Sequence, residues 1–169
     1  LLVELTATYK TQDLGTLWEI FQEQMTGYEY DALVKTRNLN WLEEMKKLCA
    51  AADIILPNIT EACMLTGMEF KTEYDEAYIQ ELLAKLKELG ARTIVLTGVG
   101  YQPGKTGVLV AEGEKQSYYE HHRIEKGCHG TGDVYASTFV GALVRGKDAF
   151  TAAKIAADYT VRCIELTKE

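Results

Sequence analysis

The chain has 169 residues, of which 47% are hydrophobic and 25% are charged. That length suits a single domain over 1–169, and the apolar content excludes an intrinsically disordered chain. The net charge of −7 is opposite to that of a general nucleic-acid-binding protein. No apolar run approaches the roughly 20 residues of a membrane span. We therefore expect neither nucleic acid nor membrane as a partner.

The cysteine pattern points to a reducing compartment. The four cysteines form no CxxC pair and have no zinc-like spacing; they are Cys49, Cys63, Cys128 and Cys163. We do not expect disulfide bonds in an acidic, helix-rich domain of this size, and free cysteines are typical of a reducing compartment. We therefore expect a cytoplasmic protein. Adjacent side chains on an extended strand point to opposite faces, so Cys128 and His129 are not expected to pair as nucleophile and base. We predict no covalent nucleophile.

The first half of the chain alternates helical and strand patterns. Apolar residues at helical spacing predict a helix over 12–25, and a short strand is predicted over 28–34. A second helix is predicted from Asn38 onward. The run Asp53–Pro57 is short, apolar and ended by proline, which is typical of a buried parallel strand.

The rest of the chain continues this alternation. The further predicted elements are a helix capped by Asn58 and stopped at Gly67, a helix over 78–89, a strand over 93–97, a hairpin of 106–111 with 116–123, and helices over 134–144 and 149–166. Alternating strands and helices predict an α/β fold, a three-layer sandwich with a mostly parallel sheet.

The motif Gly130-Thr131-Gly132-Asp133 lies directly before a predicted helix. Its glycines let the backbone approach a ligand closely, and free amides at a helix N terminus favour an anion. The carboxylate of Asp133 could accept a proton from an attacking hydroxyl group. The alternative interpretation is structural, with Thr131 or Asp133 simply capping the helix.

Two further sites follow predicted strands. Asn58 and Glu61 form an Asn-x-x-Glu pair, which suits either a capping box or a carboxylate that binds Mg²⁺ directly or through water. Thr97 and Gly98 end the next strand and offer a hydroxyl and open backbone to a phosphate. Ligands of open α/β sheets bind beyond the carboxyl ends of the strands, where we expect all three sites to lie.

Three runs of sequence resemble the ribokinase-like superfamily, and within it the pyridoxal (vitamin B6) kinases. They are Ala52–Ala62, which contains Leu-Pro-Asn-Ile-Thr-Glu-Ala, Ile94–Gly98, and His129–Asp133. The resemblance implies ATP-dependent phosphorylation of the 5′-hydroxymethyl group of pyridoxal, pyridoxine or pyridoxamine, with Mg²⁺. It also implies a homodimer. Family members are substantially longer, so we expect this chain to represent part of such a domain.

The resemblance also implies a role for each motif residue. Asp133 would be the catalytic base, and Gly130, Thr131 and Gly132 would form the anion hole. Thr97 and Gly98 would contact ATP phosphates, and Asn58 and Glu61 would belong to the metal and phosphate site. Two alternatives stay open, namely a hydroxymethylpyrimidine kinase and a nucleotide-binding remnant without catalytic activity.

Overall fold

The computed structural model describes residues 42–124 and 130–167. The helix predicted over 12–25, the strand predicted over 28–34 and the helix start at Asn38 lie outside these residues, as do Cys128 and His129. The first described element is a helix over 42–51, here called α1.

The elements after α1 follow the predicted order. They are β1 (Ile54–Ile55), α2 (Ile59–Thr66), α3 (Glu76–Glu88), β2 (Thr93–Val99), β3 (Lys105–Glu112), β4 (Lys115–His122), α4 (Thr131–Val144) and α5 (Ala149–Leu166). The predicted hairpin is confirmed as β3 and β4. Gly67 stops α2 with a left-handed φ of 73°, as predicted from its position after the apolar run.

The described sheet is mixed, whereas a mostly parallel sheet was predicted for the whole domain; the predicted strand over 28–34 lies outside the described residues. Its strand order is β1-β2-β3-β4. Strand β1 pairs with β2 in parallel, whereas β3 pairs with β2 and with β4 antiparallel. The reason is that β3 follows β2 after a short loop and needs no crossover helix to fold back onto it.

Helices cover both faces of this sheet, so the predicted three-layer α/β sandwich is confirmed. Strand β2 alternates its side chains between two cores, as the pleat requires. Ile94 and Leu96 pack in the core with α1, α2 and α3. Val95 packs in the other core, beneath α4 and α5, where Phe139 is fully buried. Among the described helices, none combines the length and the hydropathy needed to cross a bilayer.

The sheet topology gathers four chain segments at one edge. Parallel strands β1 and β2 end at this edge, and the register pairs Val99 at the end of β2 with Gly107 near the start of β3. Lys105, which begins β3, lies opposite His122, which ends β4. Residues that are far apart in sequence therefore meet beyond the carboxyl ends of β1 and β2.

We expect alanine at Gly107 and at Gly141 to change stability in opposite directions. A Cβ atom on Gly107 would lie 2.2 Å from the Tyr119 carbonyl oxygen, so Gly107→Ala should destabilise by about 1–3 kcal/mol. Gly141 lies inside α4 with no atom within 4 Å of such a Cβ, so Gly141→Ala should stabilise by about 0.5–1 kcal/mol. Urea unfolding of both variants measures these changes. Equal stability of the two would contradict the described packing of β3 on β4.

Candidate functional site

A cleft of about 850 Å³ lies at the edge where β1 and β2 end. Its walls come from the start of α2, the loop between α2 and α3, the turn after β2, and the adjoining ends of β3 and β4. The last turns of α5 also contribute Val161 and Ile164. The size is that of a pocket for a small molecule or a nucleotide.

Three of the residues predicted as site residues meet in this cleft. Asn58, Thr97 and Gly98 all line it. Asn58 and Thr97 form a parallel bridge just beyond β1, and the Thr97 amide donates to the Pro57 carbonyl oxygen at 2.9 Å. The pairing of β1 with β2 thus continues into the cleft and places the two predicted sites side by side.

Asn58 and Glu61 form the capping box that the sequence offered as one of two interpretations. The Glu61 amide donates to Asn58 Oδ1 at 2.9 Å, and the Asn58 amide donates to Glu61 Oε2 at 2.9 Å. This reciprocal pair stabilises the start of α2. Glu61 is partly buried and is not among the described lining residues of the cleft.

The turn at the end of β2, formed by Gly98–Gly100, depends on glycine at two positions. Gly98 has a left-handed φ of 78°, and the register between β2 and β3 shifts at this point. At Gly100, a Cβ atom would lie 2.5 Å from the Lys105 carbonyl oxygen. The backbone of this turn therefore passes close to the start of β3 and faces the cleft without side chains at either position.

The N terminus of α4 differs from those of α2, α3 and α5. Asn58, Asp75 and Asp148 each cap a helix through a side chain. At α4 the N-cap residue is instead Gly130, which has a left-handed φ of 80° and no side chain to form such a bond. The start of α4 thus has a glycine where the other three helices have a capping side chain.

Asp133 lies in the first turn of α4 and is exposed. Thr131 and Gly132 precede it in the same turn, and Gly132 is exposed as well. None of the residues from Gly130 to Asp133 is among the described lining residues of the cleft. The structure thus places the motif at a helix N terminus, as predicted, but does not join it to the described cleft.

The cleft is positively charged although the chain is acidic overall. Lys71, Lys105 and Arg123 line it, whereas Glu73 is the only carboxylate among its described lining residues. The Lys105 ammonium pairs only distantly with Glu120, at 3.8 Å. Concentrated positive charge in a concave site attracts anions.

Tyrosine side chains surround the turn at the end of β2, and their clustering was not predicted from the sequence. Tyr74 and Tyr101 line the cleft, and the Tyr101 ring meets the Tyr118 ring edge-on at 5.4 Å. Burial raises the pKa of Tyr118 to about 12 and also raises the pKa of Tyr101. Both hydroxyls therefore stay protonated at neutral pH. Tyr74 and Tyr101 lie in loops and show no periodicity, so no sequence pattern pointed to them, whereas Tyr118 lies in the predicted second strand of the hairpin.

The protein oxygen atoms near Asn58 suit a metal ion that is bound mainly by the phosphate groups of a ligand. Within residues 42–124 and 130–167, no three His, Cys, Asp or Glu side chains converge as a metal site. Mg²⁺ commonly uses one or two protein carboxylates together with substrate phosphates and water. Glu61 supplies one carboxylate beside Asn58, which fits that arrangement.

The sequence matches a family model described as Phosphomethylpyrimidine kinase over residues 25–169. The chain is 32% identical over 120 residues to the hydroxymethylpyrimidine/phosphomethylpyrimidine kinase of Aquifex aeolicus, covering 69% of this chain and 45% of that protein. It is 33% identical over 115 residues to the pyridoxine kinase of Bacillus subtilis, covering 64% of this chain and 41% of that protein. The chain thus spans less than half the length of these relatives.

Solved structures show the same likeness. A putative phosphomethylpyrimidine kinase from Bacteroides thetaiotaomicron matches with a TM-score of 0.69 and 26% identity, over 75% of this chain and 44% of that one. The ADP complex of Bacillus subtilis pyridoxal kinase matches with a TM-score of 0.61 and 26% identity, over 69% of this chain and 44% of that one. The chain belongs to the phosphomethylpyrimidine kinase family, whose fold is ribokinase-like.

Proposed function

We propose that the protein transfers the γ-phosphate of ATP to the hydroxymethyl group of a small heteroaromatic alcohol. The observation that carries this proposal is the start of α4, where glycine occupies the N-cap position and Asp133 lies in the exposed first turn. Backbone amides at a helix N terminus can hold the transferring phosphoryl group. The carboxylate beside them can accept the proton of the attacking hydroxyl.

The positive charge of the described cleft supports nucleotide binding there. Thr97 and Gly98 are proposed to contact ATP phosphates, and Lys71, Lys105 and Arg123 would attract the polyphosphate. Asn58 and Glu61 are proposed to serve the metal and phosphate site. Mg²⁺, when bound with the nucleotide, would neutralise phosphate charge. The homodimer and the cytoplasmic location stay predictions.

We propose a vitamin B6 vitamer as the acceptor, because the sequence around Asn58 and the motif at Gly130 resemble those of pyridoxal kinases. The second candidate is hydroxymethylpyrimidine, because the family model and the Aquifex aeolicus relative are named for that chemistry. Both acceptors carry a hydroxymethyl group on a nitrogen-containing ring. One catalytic centre therefore suits either, and the ring pocket decides between them.

The acceptor is identified by comparing kcat/KM for pyridoxal, pyridoxine, pyridoxamine and hydroxymethylpyrimidine on the full-length protein. We expect a B6 vitamer to give the highest value, and a higher value for hydroxymethylpyrimidine would favour the second candidate. Calorimetric titration with Mg·ATP accompanies the assay. Binding of Mg·ATP without turnover of any of these alcohols would instead indicate a nucleotide-binding remnant.

Asp133→Asn should lower kcat by at least about 10²-fold, because the amide cannot accept the proton of the hydroxyl group. The fold should be unaffected, since this exposed side chain makes no capping bond at the start of α4. A coupled ADP-release assay and thermal unfolding measure the two effects. Asp53→Asn is the matched control, because Asp53 lies at the opposite end of β1 in an exposed ion pair with Arg92. Turnover of Asp133→Asn equal to that of the control would refute the assigned role.

Glu61→Gln separates the helix-capping role of Glu61 from its proposed role at the metal site. Glutamine at this position can still accept from the Asn58 amide, so the thermal midpoint should change little. If Glu61 also serves the metal, loss of its charge should raise the Mg²⁺ concentration needed for half-maximal rate by about tenfold. Glu61→Ala is the comparison, and it should lose both stability and Mg²⁺ response. An unchanged Mg²⁺ response in Glu61→Gln would leave only the structural role.

A further inference from the structure

The turn at the end of β2 is held by two tyrosine hydroxyl groups from outside the strand. The Gly100 amide donates to the Tyr74 hydroxyl at 3.0 Å, and the same hydroxyl donates to the Gly98 carbonyl oxygen at 3.4 Å. The Tyr118 hydroxyl donates to the Val99 carbonyl oxygen at 3.0 Å. Three consecutive residues of the turn therefore have a backbone group bonded to a tyrosine side chain.

The backbone of this turn departs from regular strand geometry, so additional hydrogen bonds stabilise it. Gly98 adopts a left-handed φ, and the pairing of β2 with β3 shifts register between Thr97 and Val99. A bulge leaves backbone groups outside the regular ladder, and glycine gives the unbound chain additional freedom. The tyrosine hydroxyls bond to backbone groups of Gly98, Val99 and Gly100, and each such bond favours the observed conformation of the turn.

Tyr74 is itself held in place by a chain of contacts. Its ring stacks on the Tyr78 ring with centroids 5.7 Å apart. The Tyr78 hydroxyl donates to the Glu69 carbonyl oxygen at 2.7 Å and lies 3.1 Å from Cys63 Sγ. Because Tyr78 is buried in the core and Cys63 belongs to α2, Tyr74 is anchored to the helical layer rather than to the loop alone.

Tyr74 therefore joins two walls of the cleft. One wall is the loop that contains Lys71 and Tyr74, and the other is the turn that contains Gly98 and Gly100. We propose that Tyr74 and Tyr118 are positioning residues, which fix the Gly98–Gly100 backbone in the conformation that receives the phosphates of ATP. This inference rests on the proposed function, since it assigns a purpose to the turn beside Thr97.

The test uses Tyr74→Phe and Tyr118→Phe in the full-length protein, because phenylalanine keeps each ring and removes only the hydroxyl group. We expect KM for ATP to rise about tenfold in Tyr74→Phe, with kcat changed less than twofold, because binding is impaired while Asp133 is untouched. Tyr118→Phe should raise the same KM by a smaller factor, since it loses one bond to the turn instead of two.

The matched control is Tyr119→Phe. The Tyr119 hydroxyl donates to Asp158 Oδ1 at 2.5 Å, so this variant also loses a tyrosine hydrogen bond, but Tyr119 is not among the described lining residues of the cleft. Its KM for ATP should equal that of the wild type. An equal rise in KM for Tyr119→Phe and Tyr74→Phe would overturn the inference, because a general loss of stability would then explain both.

Hydrogen exchange supplies a readout that does not depend on activity. Without nucleotide, the Gly100 amide should exchange about tenfold faster in Tyr74→Phe than in the wild type. If the Gly100 amide of Tyr74→Phe exchanges at the wild-type rate, or if its KM for ATP is unchanged while the wild type is active, the role of Tyr74 is wrong. The proposed function would then still stand. A wild-type protein that neither binds nor hydrolyses Mg·ATP would overturn the proposed function as well.

Discussion

Asn58 and Thr97 lie side by side because the parallel pairing of β1 with β2 continues beyond the end of β1. The bond from the Thr97 amide to the Pro57 carbonyl oxygen holds this extension together. Since both strands run in the same direction, their following segments leave the sheet at one edge. The start of α2 and the turn after β2 form adjacent walls for that reason, and the hairpin returns β3 and β4 to the same edge.

The four helices with described starts divide into two kinds. Asn58, Asp75 and Asp148 stabilise their helices by accepting a backbone amide, which is the common solution for a helix N terminus. Helix α4 has a left-handed glycine at this position instead. Replacing a good cap by glycine costs only a few tenths of a kcal/mol, so the fold tolerates glycine there. Gly132 and Asp133 in the first turn of α4 are exposed.

Charge is distributed unevenly over the chain. The overall balance is acidic, at −7, yet the described lining of the cleft has three cationic residues and one carboxylate. Composition alone argues against polyanionic nucleic acids as partners, whereas the local charge favours a small anion. The two statements are compatible because a small ligand responds to the field inside the cleft, while a long polymer responds to the field of the whole surface.

Local sequence was sufficient for most of the described elements. Periodic apolar residues, the stop at Gly67 and the hairpin over β3 and β4 could be predicted because each depends on neighbours in the chain. The capping box of Asn58 and Glu61 was one of two sequence interpretations for the same reason. The antiparallel pairing of the hairpin with β2 was not predicted, because the strand that a hairpin joins depends on long-range pairing.

The sequence by itself indicated a ribokinase-like small-molecule kinase, through short motifs that need little context, but it did not separate the pyridoxal kinases from the hydroxymethylpyrimidine kinases. Tertiary structure decided which of those motifs share the described cleft: Asn58, Thr97 and Gly98 do, whereas Gly130 to Asp133 form a separate helix start. It also brought Tyr74 and Tyr118, which are distant from Gly98 in sequence, into hydrogen bonds with the backbone of Gly98 and Val99. The physical reason is that a hydrogen bond between remote residues leaves no periodic trace in the chain.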